Sequence, residues 1–297
     1  MALYAFDGTW NLHRKDTSKD TNVVWFRNAY QGTQIYQAGV GTRLGALGRV
    51  IGGITGAGGH TRVARAREAL RLNFDAGDRV IDIVGFSRGA ALALHFANSI
   101  ATQDVPGHRR TAGVPIRFLG LWDTVPSFGV PGNAVNIGWN LGLPDNVVVC
   151  YHAMSLEERR PAFPLHRPDA RVQHAQQKGR LFEVWFRGVH SDVGGGNANP
   201  GLSSIPLNWM YAMGLASGLP LDGGVIALNR QRMDRDRPIS LPSKFDVKGA
   251  PFRIVRWNDQ VHESVRYVDD PRRYNNPPVG LTVVDDRGAA FGTFRHA

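Results

Sequence analysis

One stretch, residues 79–94, constrains the fold more than any other, because an apolar run passes directly into a serine flanked by glycines. It reads Arg-Val-Ile-Asp-Ile-Val-Gly-Phe-Ser-Arg-Gly-Ala-Ala-Leu-Ala-Leu. The β-branched residues are typical of a buried parallel strand, and the small residues that follow are typical of a helix packed closely on a sheet. A G-x-S-x-G turn between such elements exposes the serine hydroxyl at its apex. The stretch therefore predicts an α/β protein with Ser87 at the edge of a mostly parallel sheet.

The turn around Ser87 is compatible with two explanations. In the first, Ser87 is a nucleophile, and the backbone N–H of Arg88 at the start of the helix stabilises an oxyanion. In the second, Gly85 and Gly89 only permit a tight turn, and Ser87 is an ordinary helix N-cap. Whether the chain also supplies a base and an acid for Ser87 distinguishes the two explanations.

Two further predicted strands end in residues that a serine nucleophile requires. Residues 115–122 precede Asp123, and residues 181–186 precede His190. A serine hydroxyl needs a histidine base, and the imidazole needs a carboxylate that fixes its tautomer and stabilises its cation. The order Ser, Asp, His, each beyond a strand, is that of α/β hydrolases. We therefore predict Ser87, Asp123 and His190 as a triad that forms an acyl-enzyme.

Two other histidines are alternatives to His190 as the base. His262 also follows a strand-like segment, residues 252–257. His152 falls inside residues 147–159, where we predict a helix. Because the position after a strand at the sheet edge suits a catalytic side chain, His190 is preferred and His262 is the second candidate.

Asp192 and Asp7 are alternatives to Asp123 as the acid. Asp192 lies two residues from the predicted base, so we expect it to order its glycine-rich loop by accepting backbone N–H groups. Asp7 is expected to do the same for the loop after the first strand. In that loop, the N–H of Gly8 or Thr9 is the predicted second oxyanion donor.

The remaining periodicity predicts alternating strands and helices. Apolar residues recurring at three and four positions predict helices, and short apolar runs predict strands. The predicted helices cover residues 22–30, 62–74, 90–100 and 205–217, and the predicted strands cover residues 3–6, 33–39, 80–84, 115–122 and 181–186.

The charge balance favours anionic partners. Thirty-five basic and 25 acidic residues give a net charge of +10 and an isoelectric point near 10.2, which favours an anionic partner such as nucleic acid, an anionic membrane surface or an acidic protein without choosing among them. Because no nucleic-acid motif accompanies the charge, we do not expect nucleic acid as a partner. The single cysteine, Cys150, excludes an intramolecular disulfide. We expect no metal and no cofactor.

The chain resembles the DUF2235 type of α/β hydrolases, which includes the Tle1 phospholipase effectors of bacterial type VI secretion. Six blocks in the family's order carry the resemblance and cover about residues 1–220, namely residues 6–11 (FDGTWN), 39–42 (GVGT), 85–90 (GFSRGA), 122–125 (WDTV), 151–160 (YHAMSLEERR) and 189–196 (VHSDVGGG). The resemblance implies a serine esterase or A-type phospholipase, with Ser87, Asp123 and His190 matching the family's triad. It also implies a phospholipid or other ester as substrate, and a secretion-apparatus or immunity protein as partner.

The resemblance also bears on domain organisation and location. We expect a single α/β-hydrolase domain over residues 1–297, with a core of about residues 1–220 and a C-terminal elaboration over 221–297. No signal peptide or membrane-spanning segment is evident, so we expect the bacterial cytoplasm before secretion. Two alternatives to a phospholipase stay open, a general carboxylesterase for small soluble esters and a catalytically silent anion-binding module.

Overall fold

The computed structural model describes residues 1–8, 19–39, 56–126, 138–168, 179–197, 200–240, 247 and 249–296. In this described part, nine strands form one sheet in the order β2-β1-β3-β4-β5-β6-β7-β8-β9, and all neighbours are parallel except β8 and β9. The strands are β1 Ala2–Phe6, β2 Thr33–Gln37, β3 Ile81–Phe86, β4 Ile116–Trp122, β5 Cys150–Ser155, β6 Leu181–Phe186, β7 Gln260–His262, β8 Thr282–Val284 and β9 Ala290–Thr293.

Helices cover both faces of the sheet, which explains why most residues of its central strands are apolar. The helices are α1 Asn22–Ala29, α2 Gly56–Asp75, α3 Arg88–Thr102, α4 His190–Gly194, α5 Pro200–Ala216 and α6 Gly223–Arg232. Apolar residues of α2 and α3 pack on one face, and those of α1, α5 and α6 pack on the other. All residues of β1 and β3 are buried between these layers. The predicted mostly parallel α/β architecture is confirmed.

The parallel strands deliver their carboxyl ends to one edge of the sheet. Asp7 follows β1, Ser87 follows β3 and Asp123 follows β4, while His190 lies four residues beyond the end of β6. In open α/β sheets this edge is where ligands bind. The topology alone therefore brings these four residues toward one region.

Two local predictions are wrong. Residues 147–159 are not a helix, because Cys150–Ser155 forms β5 between β4 and β6. Residues 252–257 form no strand, and β7 begins only at Gln260. The other predicted helices and strands are confirmed, with ends that differ by at most six residues, at the start of α2.

The C-terminal part of the chain continues the same sheet. Strands β7, β8 and β9 extend it beyond β6, and a small apolar cluster that contains Trp185 of β6, Val261 and Phe294 packs this part of the chain against the rest of the sheet. The division into a core of residues 1–220 and an elaboration over 221–297 stays a prediction. None of the helices in the described ranges combines the length and the apolar character needed to cross a bilayer.

Candidate active site

Ser87 occupies a strained turn between β3 and α3. Its backbone has φ 59° and ψ −126°, a region that non-glycine residues rarely adopt. Gly89 permits the turn, since a Cβ there would lie 2.2 Å from the carbonyl oxygen of Phe6 at the end of β1. Although Ser87 is at the N-cap position of α3, its side chain makes no capping hydrogen bond. The explanation of Ser87 as an ordinary helix cap is therefore wrong.

The Ser87 hydroxyl instead faces His190, which in turn faces Asp123. Ser87 Oγ lies 2.8 Å from His190 Nε2, and His190 Nδ1 lies 2.6 Å from Asp123 Oδ2. All three residues are buried, with 4%, 5% and 0% of their surface exposed, respectively. The turns that carry the serine and the aspartate are joined, because the Ser87 N–H donates to Trp122 O at 3.0 Å and the Val125 N–H donates to Ser87 O at 3.2 Å.

The charges around this arrangement set the protonation of both titrating groups. Burial would raise the pKa of the Asp123 carboxyl, but Arg253 and His190 outweigh burial and hold that pKa well below its ordinary value. Burial lowers the pKa of the His190 imidazole, against the opposing effect of Asp123. At neutral pH the site therefore contains a carboxylate and a neutral imidazole, which can accept the serine proton.

Two aromatic rings and a carboxylate hold His190 in place. The ring centroids of Phe86 and Phe163 lie 4.6 and 4.8 Å from that of His190. Its backbone N–H donates to Glu158 Oε2 at 3.2 Å, and Glu158 is itself paired with Arg160 at 2.6 Å. The imidazole is thus shielded from water and fixed in orientation by groups outside the triad.

The predicted oxyanion donors are only partly described. Arg88 is the first residue of α3, so its N–H has no carbonyl one turn earlier in the helix to accept it. The Gly8 N–H donates to Asp7 Oδ1 at 2.7 Å, so it is already engaged. Thr9 lies outside the described residues. The assignment of the oxyanion donors therefore stays a prediction.

Asp7 anchors the loop after β1 and does not contact His190. Its carboxylate accepts from Thr21 Oγ1 at 2.9 and 3.0 Å and from the Tyr36 hydroxyl at 2.6 Å. Thr21 also caps α1, and Tyr36 lies on β2. Because burial outweighs these hydrogen bonds, the pKa of Asp7 is raised to about 6.

The raised pKa of Asp7 predicts a pH-dependent contribution to stability. A carboxyl whose pKa is higher in the folded state stabilises the fold most below its ordinary pKa of 3.8, and this contribution is lost as pH rises through about 6. Relative to Asp7→Asn, the wild-type free energy of unfolding should fall by about 1 kcal/mol between pH 5 and pH 8. Urea unfolding of both proteins at the two pH values measures this. A constant difference between them would contradict the prediction.

The other two candidates also lie outside the triad. Asp192 accepts from the N–H and the hydroxyl of Ser240 at 2.9 and 2.7 Å, from Asn197 Nδ2 at 2.8 Å, and from the Val189 N–H at 3.2 Å. His262 lies at the end of β7, stacked on Phe186 with ring centroids 4.7 Å apart. Asp192 thus orders its loop, and His262 packs elsewhere on the sheet.

One group of side chains has the composition of a metal-binding set. In the described part of the chain, His262, Glu263 and Asp286 place one ligand atom each within 4.8 Å of one another. The Nε2 of His262 and the Oδ1 of Asp286 are 3.2 Å apart, so the imidazole is already beside a carboxylate. This set belongs to β7 and the turn after β8, and it is not part of the Ser87 arrangement.

Sequence reasoning missed the groups that hold Asp123. Its Oδ1 accepts from the Ser155 N–H at 2.9 Å, from the Ser155 hydroxyl at 3.0 Å and from Arg253 at 2.5 Å. Ser155 lies within the family-like block at residues 151–160, which was the available signal for it. Arg253 lies in a charged, proline-rich region where no motif marks it.

The chain is similar to a known family and to two solved structures. The catalytic domain of the Tle1-like phospholipase effectors of type VI secretion matches residues 3–105 and 95–213. An uncharacterised protein from Pseudomonas aeruginosa has a similar solved structure, with 22% identity and a TM-score of 0.55 over 80% of this chain and 51% of that one. A Tle1 effector bound to the VgrG spike of the type VI secretion system shows 23% identity and a TM-score of 0.44 over 67% and 51%.

The similarities cover only part of the two solved structures. The chain spans about half the length of both solved structures, 51% in each case. No curated protein matches it.

Proposed function

This chain belongs to the family of Tle1-like phospholipase effectors of type VI secretion, whose catalytic domain it matches, and on that premise we propose that it is a serine hydrolase that cleaves carboxylic esters through an acyl-enzyme. The observation that carries the mechanism is the buried chain of contacts from Ser87 Oγ through His190 to Asp123, at 2.8 and 2.6 Å. Such contacts are what a serine needs to become a nucleophile at neutral pH.

The proposed reaction follows from the atoms in contact. Ser87 Oγ attacks the ester carbonyl carbon while His190 Nε2 takes the hydroxyl proton, and Asp123 stabilises the imidazolium that forms. The backbone N–H of Arg88 donates to the oxyanion of the tetrahedral intermediate. His190 returns the proton to the departing alcohol, which leaves an acyl group on Ser87. A water molecule, deprotonated by His190, then releases the carboxylic acid.

We propose a phospholipid as the substrate of this reaction. Family membership supports an ester of this class, and the net charge of +10 favours an anionic lipid surface. The half-buried Arg88 lies directly after the nucleophile, and no described carboxylate forms an ion pair with it. Burial lowers the pKa of its guanidinium to about 10, so it stays cationic at neutral pH. A phosphodiester head group would supply the missing negative charge.

The biological setting is proposed from the family alone. We propose that the chain acts as an antibacterial effector of type VI secretion, present in the bacterial cytoplasm before delivery. A protein of the secretion apparatus and an immunity protein would be its partners. A general carboxylesterase is the second candidate, since the triad geometry suits soluble esters equally.

Labelling and turnover of the purified chain test this proposal. A fluorophosphonate probe should label the protein, and vesicles of phosphatidylglycerol and phosphatidylethanolamine should release fatty acid faster than short p-nitrophenyl esters are cleaved. Cleavage of the short esters alone would favour the carboxylesterase. A folded protein that neither labels nor hydrolyses any ester would contradict a serine hydrolase and favour an anion-binding module.

A further inference from the structure

The side chain of Arg253 reaches the triad from a part of the chain that the family match does not cover. The match ends at residue 213, whereas Arg253 lies in residues 249–257, ahead of β7. Its side chain is only 9% exposed, and Nη1 donates to Asp123 Oδ1 at 2.5 Å and to the hydroxyl of Ser155 at 2.6 Å. It also lies 3.1 Å from the carbonyl oxygen of Ser155.

The Arg253 guanidinium also contacts the residue that packs against the imidazole of His190. Its Nη2 donates to the carbonyl oxygen of Phe163 at 2.9 Å. The ring of Phe163 packs on His190, with centroids 4.8 Å apart. One side chain therefore contacts both the carboxylate and the residue that covers the base.

The position of Arg253 is set by the fold around it. Asn275 Nδ2 donates to Arg253 O at 2.9 Å and to Leu156 O at 3.0 Å, which ties the segment to the end of β5. Arg159 Nε donates to Ala250 O at 2.7 Å. Because the backbone is attached at Ala250 and at Arg253 itself, the guanidinium is held in place by the backbone as well as by its own contacts.

The two oxygens of Asp123 have different partners. Oδ1 accepts from the backbone and hydroxyl of Ser155 and from Arg253, while Oδ2 faces His190 Nδ1 at 2.6 Å. Fixing Oδ1 determines where Oδ2 points. A planar guanidinium with several charge-assisted hydrogen bonds is well suited to this, because it restricts orientation as well as distance.

We propose that Arg253 is a positioning residue of the triad, which aims Asp123 at His190 and moderates the negative charge of that carboxylate, so that residues 249–257 complete the active site. This inference rests on the proposed serine hydrolase function. It extends that function to a segment outside the family's matched region.

The charge of Arg253 has a measurable consequence at His190. Asp123 and Glu158 favour the imidazolium, whereas Arg160 opposes it, and Arg253 offsets Asp123. Without the Arg253 charge, the field of Asp123 at the imidazole becomes more negative, which raises the pKa of His190. His190 must be neutral to act as the base. The acid limb of the pH profile, where kcat/KM falls as His190 is protonated, therefore moves to higher pH.

Three variants test the proposal, with ester hydrolysis measured across pH. Arg253→Met should lower kcat by about 10- to 100-fold at unchanged KM, as expected for the loss of charge-assisted hydrogen bonds. It should also move the acid limb upward by about half a pH unit. Arg253→Lys should keep the wild-type limb and recover part of kcat. Arg256→Met, the same charge change at an exposed arginine of this segment, should alter neither.

The outcomes separate this inference from the proposed function. A wild-type protein that neither labels with fluorophosphonate nor hydrolyses esters would refute the proposed function itself. An active wild type with an unchanged Arg253→Met variant would refute only the inference, as would a rate loss without a shift of the acid limb. If Arg253→Met does not fold, Arg253→Lys is the deciding variant. A kcat of Arg253→Lys equal to that of the wild type would then overturn the proposal.

Discussion

Replacing Ser87 with alanine should abolish fluorophosphonate labelling and lower kcat for ester hydrolysis by about ten-thousand-fold or more. The hydroxyl contacts His190 Nε2 at 2.8 Å, and alanine leaves no oxygen that can form the acyl-enzyme. Any residual rate would come from water activated by His190 beside an intact oxyanion site. Ester turnover and in-gel labelling of wild type and variant measure the effect.

The same substitution should leave the fold nearly unchanged, which makes the test specific. Ser87 makes no capping hydrogen bond to α3, and alanine meets the same backbone strain at φ 59°. The thermal midpoint should therefore stay close to that of the wild type. Ser204→Ala is a matched control, because Ser204 is a buried serine on α5 whose hydroxyl has no hydrogen-bond partner among the described residues. Labelling that survives in Ser87→Ala would place the nucleophile elsewhere.

The elements that carry Ser87 and Asp123 were predictable because their sequence pattern and their environment agree. β3 is buried on both faces, as its β-branched residues Ile81, Ile83 and Val84 predict, and the glycines at 85 and 89 match the close approach of α3 to the sheet. His190 is preferred because it follows a strand in the expected order and lies in the family-like block at residues 189–196. Its contacts to Ser87 and Asp123 depend on three separate strands, and a one-dimensional pattern contains no distances between them.

In β5, pairing with the two neighbouring strands overrides the local helical propensity of the sequence. Residues 153–158 include alanine, methionine, leucine and two glutamates, all favourable in helices, and they led to a helical prediction. The structure places Cys150–Ser155 between β4 and β6, where pairing on both sides satisfies the backbone of an extended chain. The glutamates then follow the strand, and Glu158 accepts the N–H of His190.

Residues 252–254 show an apolar–basic–apolar alternation whose burial is the reverse of what it predicts. A half-buried strand would place Phe252 and Ile254 toward the core and Arg253 toward solvent. Instead Ile254 and Trp257 are 85% and 86% exposed, while Arg253 points inward to Asp123. A buried carboxylate stabilises a buried guanidinium strongly enough to set the orientation of the segment. Because that carboxylate lies 130 residues earlier in the chain, no local pattern could indicate it.

Replacing His190 with alanine should lower kcat by about a thousand-fold or more, whereas His262→Ala should keep the rate within about ten-fold of the wild type. His190 Nε2 contacts the Ser87 hydroxyl and its Nδ1 contacts Asp123, so its loss removes the base and isolates the carboxylate. His262 contacts Ser264, at 3.0 Å, and Asp286, at 3.2 Å, instead. Ester turnover of the two variants at one pH compares them directly.

Both variants should also lose stability, so their activities have to be compared per folded molecule. His262 is 1% exposed and stacks on Phe186, so truncating it leaves a cavity between β6 and β7 and should lower the thermal midpoint. His190 is also buried and packs against the rings of Phe86 and Phe163, so its truncation should lower the thermal midpoint as well, although its backbone N–H contact with Glu158 survives in alanine. Activity normalised to the folded fraction therefore separates a lost base from a weakened fold. A larger normalised loss in His262→Ala than in His190→Ala would identify His262 on β7 as the base and would contradict the triad proposed for Ser87.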